Sequence, residues 1–194
     1  MRVSLSALSL KIVLSLSLMV GIIALSGAAS AQQSNQFKLL NAVEDQDMEE
    51  VRSLMRKGVS PNTRRRQSGI PAILIAADGG YLPMVKLLLE NGADPDMKGE
   101  ERGQTALMRR AVAGDIEMMK LLLEHGADVN AVDAGLETAL MKAVRSRKFR
   151  TAEFLLEHDA DPNVQDMTGR SALQYARMSR SRRMVRMLEE AGAY

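Results

Sequence analysis

The feature that most constrains this chain is its internal repetition. The segment Val85 to Asp96 (VKLLLENGADPD) reappears as Met119 to Asn130 (MKLLLEHGADVN) and again as Phe154 to Asn163 (FLLEHDADPN). Weaker copies stand at either end, at Gly58-Val59-Ser60-Pro61-Asn62 and Glu190-Ala191-Gly192-Ala193. A second block lies upstream of each copy: Thr105-Ala106-Leu107-Met108, Thr138-Ala139-Leu140-Met141 and Ser171-Ala172-Leu173-Gln174. Thr105, Thr138 and Ser171 are spaced by 33 residues, whereas Pro71-Ala72-Ile73-Leu74 precedes Thr105 by 34, which predicts one inserted residue in the intervening hairpin. A unit this short cannot bury its own apolar face. Copies must stack and share one continuous core, which makes the chain a solenoid.

Each unit reads as two short helices. Thr105, Thr138 and Ser171 are suited to N-cap the first helix, because a hydroxyl there satisfies a free amide. Asp47 and Asp115 suit the same role at the second helix, and Pro83 fits a first helical turn. Val85, Leu88 and Leu89, and equally Met119, Leu122 and Leu123, recur at i, i+3, i+4 and form one apolar face. Gly92, Gly126 and Gly192 stand where a helix end favours left-handed backbone. Asp159 replaces glycine there, which predicts a looser end. With aromatics at 3% and no Trp, the core must be built from Leu, Ile, Val, Met and Ala.

These blocks resemble the ankyrin repeat, with its Thr-Pro-Leu-His opening, Val-x-x-Leu-Leu helix and Gly-Ala-Asp-x-Asn close. The resemblance implies an all-α ankyrin-repeat solenoid of about five helix-turn-helix repeats with β-hairpin loops, at about 36–63, 64–98, 99–132, 133–165 and 166–194. The chain departs from the pattern in places. Ala106, Ala139 and Ala172 replace the proline, and Leu74, Met108, Met141 and Gln174 replace the histidine that links adjacent hairpins. Arg110 replaces a small alanine and must either reach solvent by its long stem or pair with an acid on a neighbouring repeat. Glu49, Glu50 and Arg52 at one end, and Arg180, Arg182, Arg183, Arg186 and Glu190 at the other, read as polar outer faces of terminal repeats, from which a complete solenoid is expected.

The first 31 residues read as an export signal. Arg2 and Lys11 form a positive start, Ile12 to Leu25 an apolar run shorter than a membrane span, and Ala29-Ser30-Ala31 a cleavage site. The mature domain is then 32–194, and the periplasm is the expected compartment; full secretion or an uncleaved membrane anchor are the alternatives. Of 26 Lys and Arg, Arg2 and Lys11 fall in the leader, and the rest equal the 24 Asp and Glu in number. A neutral mature chain does not call for nucleic acid or an anionic membrane.

No residue pattern points to catalysis. The chain has no Cys, which excludes disulfides and thiolate chemistry, and it lacks the spacings of a serine-hydrolase elbow, a zinc-protease helix or a phosphate-binding loop. Asp94, Asp96, Asp128 and Asp161 sit at repeat-phased turns and read as turn-forming groups. His125 and His158 lie at equivalent helix ends, where imidazole complements the helix dipole; stacked helices are about 8–10 Å apart, too far for one shared metal. No catalytic residue, metal or cofactor is expected. The chain has 14 Met, of which Met1 and Met19 are in the leader; the others read as core filler or adaptable surface, with Cu(I) binding a lesser alternative. Arg64-Arg65-Arg66 and Arg145, Arg147, Lys148 and Arg150 are basic clusters, either solvated or facing an acidic partner.

The resemblance implies a protein-binding concave face made of hairpin tips and the exposed sides of the first helices. On this chain it selects Glu44, Asp45, Gln67, Ile70, Asp78, Glu101, Arg102, Gln104, Val112, Glu137, Arg145, Arg170 and Met178, with Ser68, Ala134, Ser146 and Met167 beside them. Charge along that row runs from acidic to basic, so a partner of opposite polarity is expected. The expected function is a non-catalytic interaction module, monomeric alone, serving as scaffold or accessory factor. An immunity-type inhibitor of a toxic enzyme and a protective factor against oxidants are the alternatives.

Overall fold

The computed structural model describes residues 33–100 and 102–194. The leader and Glu101, both singled out above, lie outside the described residues. Among the described residues, ten helices form five pairs. They are α1 (33–44) with α2 (Met48–Arg56), α3 (Ala72–Asp78) with α4 (Leu82–Glu90), α5 (Ala106–Ala113) with α6 (Ile116–Glu124), α7 (Ala139–Arg145) with α8 (Phe149–Leu156), and α9 (Ala172–Met178) with α10 (Arg182–Glu190). The first helices stack in order, α3 on α5, α5 on α7 and α7 on α9, and each packs on its own second helix. None of the described helices is long and apolar enough to cross a membrane.

The helices start where the side chains dictate. Thr105 and Thr138 hydroxyls accept the amides of Met108 and Met141, and Asp47 and Asp115 carboxylates accept those of Glu50 and Met118. At α9 the third residue reaches back instead: Gln174 Oε1 accepts the Ser171 amide at 2.7 Å. Leu74, Met108 and Met141, the histidine replacements, are buried, and one continuous apolar cluster runs from Leu39 to Leu188. Met84, Met118, Met119 and Met184 are also buried in it, which gives these methionines the role of core filler.

With the histidines gone, other groups link the repeats. Asn62, Asn130 and Asn163 each donate from Nδ2 to a carbonyl one repeat on (Gly92, Asp159, Gly192) and accept the amides of Asp94, Asp161 and Tyr194. Of the aspartates read as turn-forming, Asp94, Asp128 and Asp161 each accept the amide two residues on, whereas Asp96 accepts the Asp128 amide of the next repeat. His125 and His158 place Nδ1 within 2.9 and 2.8 Å of the carbonyls of Leu121 and Phe154, which fits their helix-end reading. Asp159 takes the left-handed backbone (φ 64°) that Gly126 takes in the preceding repeat (φ 84°).

The hairpin loops carry little β pairing. Among the described residues the only β pairing is one isolated bridge, Arg64 with Pro71. The tips close by single amide bonds, from Asp133 to Glu137 and from Asp166 to Arg170, before any ladder can extend. The bond from Gly99 to Gln104 spans one residue more, which locates the predicted insertion in that tip.

Candidate functional site

The tips are held in shape by the first helices beneath them. Asp133 Oδ1 accepts the amides of Gly135 (2.8 Å) and Glu137 (3.0 Å), which folds the turn around one carboxylate. Its other oxygen meets Lys142 Nζ of α7 at 2.6 Å, and the same ammonium reaches Glu137 at 2.9 Å. Lys142 is 7% exposed and Asp133 5%, so the pair is a buried one. Burial alone would raise the Asp133 carboxyl. The bond from Lys142 and the two amides outweigh it and hold the group below its ordinary value.

Repeat 5 builds the same device with different chemistry. Asp166 accepts the Thr168 amide, the Thr168 hydroxyl and the Arg170 amide, and Tyr175 of α9 donates to it where α7 offers Lys142. Burial again opposes ionisation, and the Tyr175, Thr168 and Arg170 bonds hold this carboxyl far below the usual range. The Tyr175 hydroxyl is pushed up, first by its bond to the Asp166 carboxylate and then by burial. Repeat 3 lacks the aspartate. Gly99 closes that tip, and a Cβ there would come within 2.8 Å of the Arg109 guanidinium. Arg109, together with Arg110, crosses to Asp78 of the preceding repeat. This resolves the Arg110 alternatives in favour of an inter-repeat ion pair.

Between these braced tips and the first helices runs a groove. Asp78, Arg102, Gln104, Arg109 and Val112 line one cleft of about 460 Å³. Arg102, Gln104, Val112, Glu137, Lys142, Arg145 and Ser146 line the next, of about 300 Å³. Three residues are common to both, so the clefts form one depression across repeats 2 to 4. Residues 39–133 match the family model described as ankyrin repeats in three copies, and residues 122–176 match the model described as ankyrin repeats in many copies. The chain is an ankyrin-repeat protein. A search of curated proteins finds no match.

The ankyrin groove therefore brings together six of the residues selected from sequence: Asp78, Arg102, Gln104, Val112, Glu137 and Arg145. Val112 is exposed at 44%, an apolar contact point inside a polar rim. The remaining ones are elsewhere. Glu44 and Gln67 line a separate cleft of about 710 Å³ with Phe37, Leu40 and Arg64 to Arg66. Asp45 lies in the turn between α1 and α2. Ile70 is half-buried and packs against the core. Arg170 and Met178 are exposed on repeat 5.

Two features of this ankyrin surface were not anticipated. One is the role of Lys142 and Tyr175 as braces beneath the tips, with Arg109 at the same phase crossing to Asp78 instead; the signal was their common phase, 33 residues apart on successive first helices. The other is charge pairing. Glu44 is matched by Arg65, Asp78 by Arg109 and Arg110, and Glu137 by Lys142 and Arg145, so four charges of the predicted acidic-to-basic row, Glu44, Asp78, Glu137 and Arg145, are paired within the protein. Arg145 also lies 5.1 Å above the Tyr175 ring, which fixes its stem beside the groove. Ankyrin repeats are interaction modules as a family.

Proposed function

We propose that this ankyrin protein is a non-catalytic binding module that holds a partner protein in the groove across repeats 2 to 4. One observation carries the reading: Arg102, Gln104 and Val112 join two clefts into one depression, braced on its repeat 4 side by the buried Lys142–Asp133 ion pair. A pre-formed polar groove with an apolar point at its centre loses little freedom on binding, which favours recognition of a folded or extended partner. The leader supports export to the periplasm, with 32–194 as the mature domain acting as scaffold or accessory factor there.

The test is photo-crosslinking in intact cells followed by mass spectrometry. A crosslinking residue at Gln104 or Val112 should capture one and the same protein, and one at Lys120 on α6 should not. Capture that is equal from all three positions refutes the groove. Fractionation checks the compartment: recovery in the cytoplasm with the leader attached refutes the periplasmic part.

A further inference from the structure

The turns that join first to second helices carry a second pattern. In every repeat the residue before the N-cap of the second helix is left-handed: Gln46, Gly80, Gly114, Arg147 and Arg180. Glycine adopts that conformation freely, and a long side chain does so at a cost. Repeats 2 and 3 use glycine; repeats 4 and 5 use arginine, at φ 56° and 54°. Asp47 and Asp115 cap α2 and α6 through their carboxylates, whereas Tyr81, Lys148 and Ser181 make no side-chain cap bond to α4, α8 and α10. The left-handed arginines give up local stability and raise positive charge.

The outcome is a cationic edge. The turns 146–150 and 179–183 contain Arg147, Lys148, Arg150, Arg180, Arg182 and Arg183 and no acid, while the equivalent turn of repeat 1 contains Asp45, Asp47 and Glu49. All six cations are exposed, and none belongs to an ion pair among the described residues. A cleft of about 270 Å³ lies between the two turns. Its floor is Val144, Phe149 and Met184, and its rim is Arg147, Arg180 and Arg183. The Arg183 guanidinium stacks over Phe149 at 3.6 Å, leaving its edge to donate outward.

We infer that this edge is a second docking surface, for an acidic extended segment of a partner protein that places one apolar side chain in the cleft. Guanidinium groups pair with carboxylates through two parallel bonds, which a cluster rich in Arg rather than Lys favours. The cleft gives room for a side chain between the cations. A lipid surface fits less well: no exposed large apolar residue of the described chain lies within these two turns, and Met178 alone borders them. A nucleic acid would need stacking aromatics, and the only one present is already covered by Arg183.

The test uses the purified protein and a fluorescein-labelled Glu-Glu-Phe-Glu-Asp-Glu peptide, followed by fluorescence anisotropy at low and at physiological ionic strength. The expected result is salt-sensitive binding that weakens on the order of tenfold in the double variant Arg147→Gly/Arg180→Gly, which loses two guanidinium contacts. Glycine suits both backbones, so the variant should unfold no earlier than the parent, which separates lost contacts from lost fold. Arg66→Gly, on the tip of repeat 2, should leave affinity unchanged, and a peptide with Gln and Asn for Glu and Asp should not bind. Unchanged affinity in the double variant, or equal binding of the neutral peptide, overturns the inference. So does binding to phosphatidylglycerol vesicles that depends on Arg147 and Arg180 and displaces the peptide, which would assign the edge to a lipid surface.

Discussion

Asp96 stands in a position that asparagine fills in the other repeats, and the difference predicts a stabilising substitution. Asn62, Asn130 and Asn163 each make two cross-repeat bonds, accepting an amide and donating to a carbonyl. Asp96 Oδ2 accepts the Asp128 amide at 2.9 Å, but Oδ1 is buried without a partner. By the repeat register the group opposite is the carbonyl of Gly126, an acceptor like the carboxylate itself. Burial first, and the neighbouring Asp128 and Asp94 charges after it, push the Asp96 carboxyl above its ordinary 3.8. Asp96→Asn supplies the missing donor. One added neutral hydrogen bond contributes about 1 kcal/mol, and removing a half-desolvated charge adds to it. Against this stands a weaker bond to the Asp128 amide once its acceptor is neutral. The net gain should be about 1 kcal/mol, or roughly 2–4 °C in melting temperature for a chain of this size. The sign with pH follows from the raised value. Ionisation of Asp96 penalises the folded state above pH 3.8, so the variant's advantage is largest at neutral pH and fades as pH falls through the carboxyl's folded value. Urea unfolding at pH 7 and again near pH 4 measures both. A variant no more stable than the parent at pH 7, or an advantage that grows on acidification, refutes the reasoning.

Other outcomes follow from the braces beneath the tips. Lys142→Met strands the buried Asp133 carboxylate and should cost about 3–5 kcal/mol in urea unfolding, whereas Lys142→Tyr, which copies repeat 5, should recover much of that loss. Asp133 and Asp166 both have folded values below the ordinary carboxylate value. Their contribution is therefore complete above pH 3.8 and is lost as pH falls below it, and Tyr175→Phe should flatten that acid limb in a pH titration of stability. Arg147→Gly and Arg180→Gly should each raise stability by roughly 1 kcal/mol by relieving left-handed backbone, as read by the urea midpoint.

The helices, their starts and the extra residue in the 99–104 tip were legible because each depends on neighbours in sequence. A hydroxyl three residues before an amide, or a 34-residue step among steps of 33, is visible without coordinates. The surface was legible only in part. Asp78, Arg102, Gln104, Val112, Glu137 and Arg145 do meet, because repeat phase alone sets which residues share a face. Which charges remain available was not legible. Arg109 and Arg110 reach Asp78 across about one whole repeat, and Lys142 folds inward to Asp133, choices made by rotamers and packing. The hairpin loops carry no extended ladder because carboxylates at Asp133 and Asp166 take the amides that one would need.

Amide hydrogen exchange of the protein alone and in complex with the protein captured through Gln104 tests the central claim most directly. Added protection should appear at the tips 99–104 and 133–137 and in α5 and α7, with the second helices α4, α6 and α8 unchanged. Protection confined to those second helices would contradict it.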